Sequence, residues 1–294
     1  MGQRGGQLVH QCDSAISGHY SEGSSPNACQ SSVSGNSFVL IMRTSKKYGW
    51  IKQRPDFRDL KFIPSFGTEA PLPNSVDLTT TGFMPPIYNQ GNIGSCTANA
   101  IAAAVDYERK KQGEEFMKPS RLFIYANERI MEGTSLSEDS GAQIRDGIKS
   151  VATIGVCSES DWPYDINRFN VMPPQHCFDE ALKSLALQYH AVAATDLMTA
   201  LAQGNPVVAG ITIYESFEWP GPRETGVVPM PADSESCLGG HAILLIGYDQ
   251  KLKIFICRNS WGWDWGQQGY FFLPFDYVLN PNMASDFWTI TQTT

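Results

Sequence analysis

Cys96, His241 and Asn259 are the residues whose types and settings point to chemistry. Cys96 follows Gln90-Gly-Asn-Ile-Gly-Ser95, a double glycine turn, and leads into an alanine-rich run ending near Tyr107. With Ser95 as N-cap, its side-chain oxygen accepting from a first-turn amide, Cys96 opens a helix. There the unpaired N–H groups and the positive end of the helix dipole favour a thiolate over a thiol. Such a sulfur is a nucleophile near neutral pH when a base stands beside it. Leu238-Gly-Gly-His-Ala-Ile-Leu-Leu-Ile-Gly-Tyr248 offers His241 as that base, where a glycine turn enters an apolar strand. Asn259, at the end of the following strand, can hold the imidazole in one tautomer without adding a second negative charge. The plainer readings are a small buried cysteine, a satisfied core histidine and an asparagine turn cap.

The motifs Gln-Gly-x-x-Gly-Ser-Cys, Gly-His-Ala and Asn-Ser-Trp-Gly-x-x-Trp-Gly-x-x-Gly-Tyr occur here in an order that resembles the papain-like cysteine proteases. His241 follows Cys96 within the family's spacing of ~130–150 residues, and Asn259 lies slightly beyond it. The resemblance implies a cysteine peptidase working through an acyl-thioester on Cys96, with His241 as base and acid and Asn259 as orienter. It implies Gln90 as oxyanion donor beside the Cys96 backbone N–H, and Trp261 as a screen over the His–Asn bond at the substrate side of the cleft. Ser140 and Gly141 stand where the family's glycine pair binds an extended peptide, and the Gly240 carbonyl is placed to accept from substrate backbone. The fold implied is α+β and two-lobed: a helical left lobe, an antiparallel β-rich right lobe, and the active-site cleft between them. No cofactor and no metal are implied, and the partner is a peptide or protein substrate in extended conformation. Four positions depart from the family pattern. Ile93 replaces the cysteine of a disulfide beside the nucleophile, Thr97 replaces a tryptophan, Ser140 replaces one glycine of the pair, and Gly240 replaces Asn or Asp.

The elements that must position these groups can be read from periodicity. A central helix is expected from Ser95 to about Lys111, with Ala100, Ile101, Ala104 and Val105 as a narrow apolar stripe. A second starts at Ser120 with Leu122, Phe123, Ala126 and Ile130 inward, and a third spans about Ala142 to Thr153, stopped by Gly155. Short helices follow around Phe178–Leu187 and Asp196–Gln203. Strands are expected at 207–213, 242–248, 254–257, 270–273 and 287–290. Helices first and strands afterwards describe an α+β chain with segregated halves.

The chain of 294 residues divides into an N-terminal extension, 1–71, and a catalytic domain, 72–294, with the helical lobe at about 85–187 and the β lobe at 72–84 plus 188–294. Residues 1–45 are rich in Gly, Ser, Gln and Asn, and Met42 is a candidate functional start. Tyr48 to Phe66 mixes aromatics and prolines, which suits an extended arm. It reads equally as a short pro-arm over the cleft, which would make the chain latent, or as an ordinary packing extension. Leu72-Pro-x-x-Val-Asp resembles the start of the family's mature enzyme, so processing would fall near Ala70 to Leu72. A net charge of −8 gives phosphates nothing to meet, so no nucleic acid is expected. No run is long and apolar enough to span a membrane and no secretory h-region is visible, which favours a cytoplasmic or other non-classical location. A monomer is expected. Seven cysteines, an odd number, describe no disulfide framework; a Cys157–Cys177 bridge stays open. Cys257 reads as core and Cys237 as a candidate second exposed thiol. Two other functions remain: a papain-fold amide-bond transferase, and a catalytically silent protein-binding module.

Overall fold

The computed structural model describes residues 48–64, 71–114 and 117–294. The readings made for Met42 and the rest of 1–47, and for the processing point at Ala70, lie outside those residues. Seven strands form one antiparallel sheet: β1 (Ser75–Asp77), β2 (Ala186–Ala191), β3 (Val207–Tyr214), β4 (Cys237–Asp249), β5 (Ile254–Arg258), β6 (Tyr270–Pro274) and β7 (Ala284–Thr293). The order is β2-β7-β3-β4-β5-β6, with β1 pairing the far end of β4 beyond β3. The central strand β4 is buried from His241 to Tyr248, as its continuous apolar run requires.

The helical half is made by α1 (Cys96–Lys111), α2 (Arg121–Met131) and α3 (Ile144–Thr153), followed by the short α4 (Gln175–Ala181) and α5 (Leu197–Ala202). Ser120 caps α2 by accepting from the Phe123 amide at 3.2 Å. Gly155, at φ 85°, ends the turn after α3 with its N–H on the Ser150 carbonyl. α1 packs against β4 and β7 on one side and α2 and α3 on the other. It is therefore buried on every face from Cys96 to Glu108, where sequence suggested only a narrow stripe. Alanines at 98, 100 and 102–104 permit that enclosure, because small side chains let neighbours approach from all directions.

Three details differ from the sequence reading. Ile130 faces outward, 39% exposed, because α2 turns its other face to α1. The segment expected to stay helical to Leu187 leaves the helix after Ala181, and Ala186–Ala191 pairs with β7 instead. β4 begins at Cys237 rather than Ala242, since Cys237–Gly240 already pairs with β3 despite its glycines. The arm 48–64 belongs to the same compact unit, Ser45–Thr294, as the lobes it crosses.

Candidate active site

Cys96 is the first residue of α1 and is fully buried. Ser95 occupies the N-cap position, but its side chain makes no cap bond. Its hydroxyl lies 2.6 Å from the Tyr164 hydroxyl and accepts from Asn99 Nδ2 at 3.1 Å. Tyr164 spends its own hydrogen on the Gln90 carbonyl at 2.9 Å, so Ser95 donates to Tyr164 and accepts from Asn99 in place of a first-turn amide. The helix-end argument for Cys96 stands on position; the expected cap bond is not made.

His241 lies on β4 opposite Ile211 of β3 and is fully buried. β5 ends at Arg258, opposite Leu244, so the next residue, Asn259, comes level with the imidazole. His241 Nε2 and Asn259 Oδ1 are 2.9 Å apart. The same Oδ1 accepts the Ser260 backbone N–H at 2.8 Å, which identifies it as the oxygen of the amide. Nε2 must then carry the hydrogen, leaving the basic lone pair on Nδ1. Trp261 covers this pair: its ring centroid is 4.7 Å from that of His241, and it is 8% exposed.

Gln90 is clamped from both ends. Its Nε2 donates to the Ile93 carbonyl at 3.0 Å, its Oε1 accepts from Ser260 Oγ at 2.6 Å, and its backbone N–H donates to the Ser260 carbonyl at 2.8 Å. The turn before Cys96 and the strand end carrying Asn259 are thereby tied together through Gln90 and Ser260.

The sulfur joins the two halves. Backbone groups of Ala242, Gly49 and Thr97 hydrogen-bond to it and hold the thiolate down, so each is an N–H donor. Ala242 directly follows His241, which brings the nucleophile beside the imidazole's own strand. Burial nevertheless outweighs these donors and pushes the Cys96 thiol up to about 11. The thiolate expected at the helix start is therefore not favoured in this state.

The arm runs through the cleft as a strand parallel to residue 142. Gly49 O accepts from Ala142 N at 2.7 Å, Ile51 N donates to Ala142 O at 3.0 Å, and Trp50 N donates to Gly240 O at 2.9 Å. The Gly240 carbonyl thus accepts from an extended backbone, here the arm's. Ser140 does not share that role: its hydroxyl donates to Gly141 O at 3.0 Å. Pairing falls one residue later than expected, on Ala142, because Gly141 at φ 76° turns the chain toward the arm. A Cβ on Gly141 would lie 2.2 Å from Gly49 O. Tyr48 stacks its ring near Trp261 and bonds Glu218 through its hydroxyl. Further out, Arg145 grips Asp59 through two nitrogens at 2.7–3.1 Å and donates to Arg54 O at 2.8 Å.

Thr97 turns away from the cleft, its hydroxyl donating to the buried Glu128 carboxyl at 2.6 Å. Cys257 is core, Cys237 is half-buried, and Cys157 and Cys177 are both free thiols, the Cys177 sulfur lying 3.8 Å from the Asp161 carbonyl oxygen. Among the described residues no group of His, Cys, Asp and Glu is arranged to hold a metal, and no helix is long and apolar enough to cross a membrane. Sequence reading missed Gly49, Trp50 and Ala142 as residues of the cleft. The one signal was the Gly-Trp pair inside an otherwise proline-rich arm.

Residues 72–285 match the papain family cysteine protease domain. An uncharacterized peptidase C1-like protein of Acanthamoeba polyphaga mimivirus is 40% identical over 275 residues, covering 85% of this chain and 88% of the viral protein. Digestive cysteine proteinase 1 of Homarus americanus is 27% identical over 232 residues, 74% of this chain and 66% of that protein. Among solved structures, xylellain, a cysteine protease from Xylella fastidiosa, superposes with a TM-score of 0.77 at 40% identity over 84% of this chain and 97% of its own. Procathepsin B S9 of Trypanosoma congolense shares the fold at a TM-score of 0.69 and 16% identity, over 85% of this chain and 88% of its own. The chain belongs to the papain family of cysteine proteases, a two-lobed α+β cysteine peptidase acting on peptide substrates.

Proposed function

We propose that the chain hydrolyses peptide bonds through Cys96, His241 and Asn259, and that it is made in a latent form closed by its own arm. The observation that carries the catalytic reading is the 2.9 Å bond by which Asn259 fixes the buried His241 ring, with Cys96 at the first residue of α1. His241 takes the thiol proton through Nδ1, and the thiolate attacks the scissile carbonyl carbon. Negative charge on the resulting oxyanion is met by the Cys96 backbone N–H and a Gln90 side-chain N–H. The imidazolium then protonates the leaving amine, and water activated by the same ring releases the acyl group. Asn259 stabilises the imidazolium without competing for its proton. Gly141 and Ala142, with the Gly240 carbonyl, are the backbone groups that receive an extended substrate.

The latent reading rests on what the arm presents. Its backbone pairs with Ala142 and with the Gly240 carbonyl, the groups that would receive an extended substrate, so the arm occupies the cleft in the substrate's place. A thiol-directed epoxide tests both readings. Labelling at Cys96 that disappears in Cys96→Ala supports the enzyme, with a rate that rises when the arm is displaced. A chain that never labels, arm displaced or not, is the silent binding module. Aminolysis products outcompeting hydrolysis would instead assign it as an amide-bond transferase.

A further inference from the structure

Asp139 ties together two turns that frame the cleft. Its Oδ1 accepts the Gly94 backbone N–H at 2.9 Å. The same oxygen accepts from the Tyr125 hydroxyl, which in turn accepts the Gly141 backbone N–H at 3.1 Å. Gly94 stands two residues before Cys96, and Gly141 turns the chain into Ala142. The two glycines lie side by side: a Cβ on Gly94 would come within 3.3 Å of both Gly141 N and Asp139 Oδ1. Among the described residues every cysteine is a free thiol, so no disulfide holds these turns together.

The bond to Gly94 reaches the oxyanion side through one peptide group. The Gly94 N–H and the Ile93 carbonyl belong to the same planar unit and point in opposite directions. Asp139 takes the N–H end, and Gln90 Nε2 donates to the carbonyl end at 3.0 Å. A carboxamide nitrogen carries two hydrogens, and the one given to Ile93 fixes where the other points. A carboxylate bonded to the N–H also polarises the peptide, which strengthens its carbonyl as an acceptor. Ile93 and Gly94 are buried, so loss of Asp139 would leave that N–H unpaired.

A second branch runs to the substrate strand. Tyr125 is fully buried on α2. Burial, and then the Asp139 carboxylate beside it, push its hydroxyl up, so it keeps the proton it donates. One turn along the same helix, Arg129 lies over the Tyr125 ring, 4.0 Å from its centroid, and donates to the Glu138 carbonyl at 2.7 Å. α2 thereby holds both the loop carrying Asp139 and the hydroxyl that Asp139 meets.

Resting on the protease reading above, we propose that Asp139 is a positioning residue for the reaction. Through the Ile93–Gly94 peptide it aims the second N–H of Gln90 at the oxyanion, and through Tyr125 it sets the Gly141 turn that brings Ala142 to the substrate. The two branches act on different kinetic quantities. The first acts on kcat, because the oxyanion exists only along the reaction path. The second acts on KM, because Ala142 pairs with substrate in the ground state and the transition state alike.

The test is a double-mutant cycle on the full chain. It reads steady-state hydrolysis of a peptide amide, divided by the concentration of Cys96 that a thiol-directed epoxide titrates. Asp139→Ala should lower kcat by roughly ten- to a hundredfold, the scale for a misplaced catalytic group. In a Gln90→Ala background, where the aimed donor is gone, the same substitution should change kcat by about twofold or less. Asp139→Asn keeps an acceptor of the same shape without the charge. It should recover part of the loss, leaving a deficit of about fivefold that again vanishes in the Gln90→Ala background. That isosteric pair carries the cycle if the alanine chain does not fold. Tyr125→Phe, which breaks the second branch, should raise KM with kcat little changed. Equal losses of kcat in the two backgrounds, wild-type kcat in Asp139→Ala, or wild-type KM in Tyr125→Phe overturns the proposal. A wild-type chain that neither labels at Cys96 nor cleaves the amide would instead overturn the protease reading.

Discussion

Gly49 packs its backbone directly against Gly94, two residues before Cys96. That contact requires glycine, since a Cβ at Gly49 would lie 1.8 Å from the Gly94 carbonyl oxygen. Both partners of the clash are backbone, so neither can swing away. The arm's tightest point is thus against the turn that leads into the nucleophile.

Gly49→Val should open the cleft without touching either lobe. Overpacking of this kind costs about 1–3 kcal/mol, which shifts the docked arm toward release by roughly tenfold or more. The expected outcome is faster epoxide labelling of Cys96 in the full chain, with thermal stability of the lobes little changed. Labelling at the wild-type rate would show that the arm does not limit access.

The thiol gives the pH dependence a sign. With the arm docked, burial raises the Cys96 thiol to about 11. With the arm away, the sulfur meets water while keeping the Thr97 and Ala242 donors and the helix end, so its pKa falls. The docked state therefore holds the proton more tightly, and its advantage is present at low pH and lost as pH rises toward 11. Labelling of the full chain should climb with pH well into the alkaline range, and Gly49→Val should move that rise toward neutrality. Release of the arm in acid cannot draw on this group, whose proton linkage favours docking at low pH. Coincident profiles for the two proteins would show that the arm does not perturb the thiol.

The candidate site residues could be named from sequence because each sits in a short motif with its own local signal. Cys96 opens a helix, His241 lies on a strand, Asn259 follows directly after another, and Gln90 leads into a glycine turn, all of which have strong local signals. The occupant of the cleft was harder to read. Trp50 meets Gly210 and Asp286 from positions far apart in the chain, and nothing periodic in Tyr48–Pro64 reports a partner. β2 was hidden for a related reason: Ala186–Ala191 alternates weakly and becomes a strand only by pairing with β7. The Ser95 cap bond is not made because its hydroxyl is turned to donate to Tyr164, a long-range partner, and accepts from Asn99. Local chemistry was readable and long-range competition was not.

Gln90→Ala should lower kcat by roughly 10²–10³ while leaving measurable activity, the scale for losing one oxyanion donor. Its Nε2 is already oriented by the Ile93 carbonyl, and its Oε1 by Ser260, so little rearrangement accompanies the reaction. Gln90→Glu makes the sharper comparison, because it keeps volume while replacing a donor with a negative charge. Steady-state rates on activated enzyme decide the matter; wild-type kcat in Gln90→Ala would remove Gln90 from the oxyanion site.

Glu128 supplies the last prediction, on stability. Its carboxyl is fully buried between α1, α2 and α3, with Oε1 accepting from Thr97 and Oε2 without a hydrogen-bond partner. Burial raises its pKa well above the ordinary carboxylate value, reinforced by the negative charges of Glu132 and Asp146. The folded chain thus holds a proton that the unfolded chain releases. The stability this contributes is complete below the unfolded pKa and is lost as pH rises toward the folded one, by about 1.4 kcal/mol per pH unit in that window. Glu128→Gln keeps the shape and the acceptor for Thr97 but has no proton to lose. Its melting temperature should match or trail the wild type in mild acid and exceed it as pH rises above neutral. Parallel curves of melting temperature against pH for the two proteins would mean that Glu128 is charged in the native state.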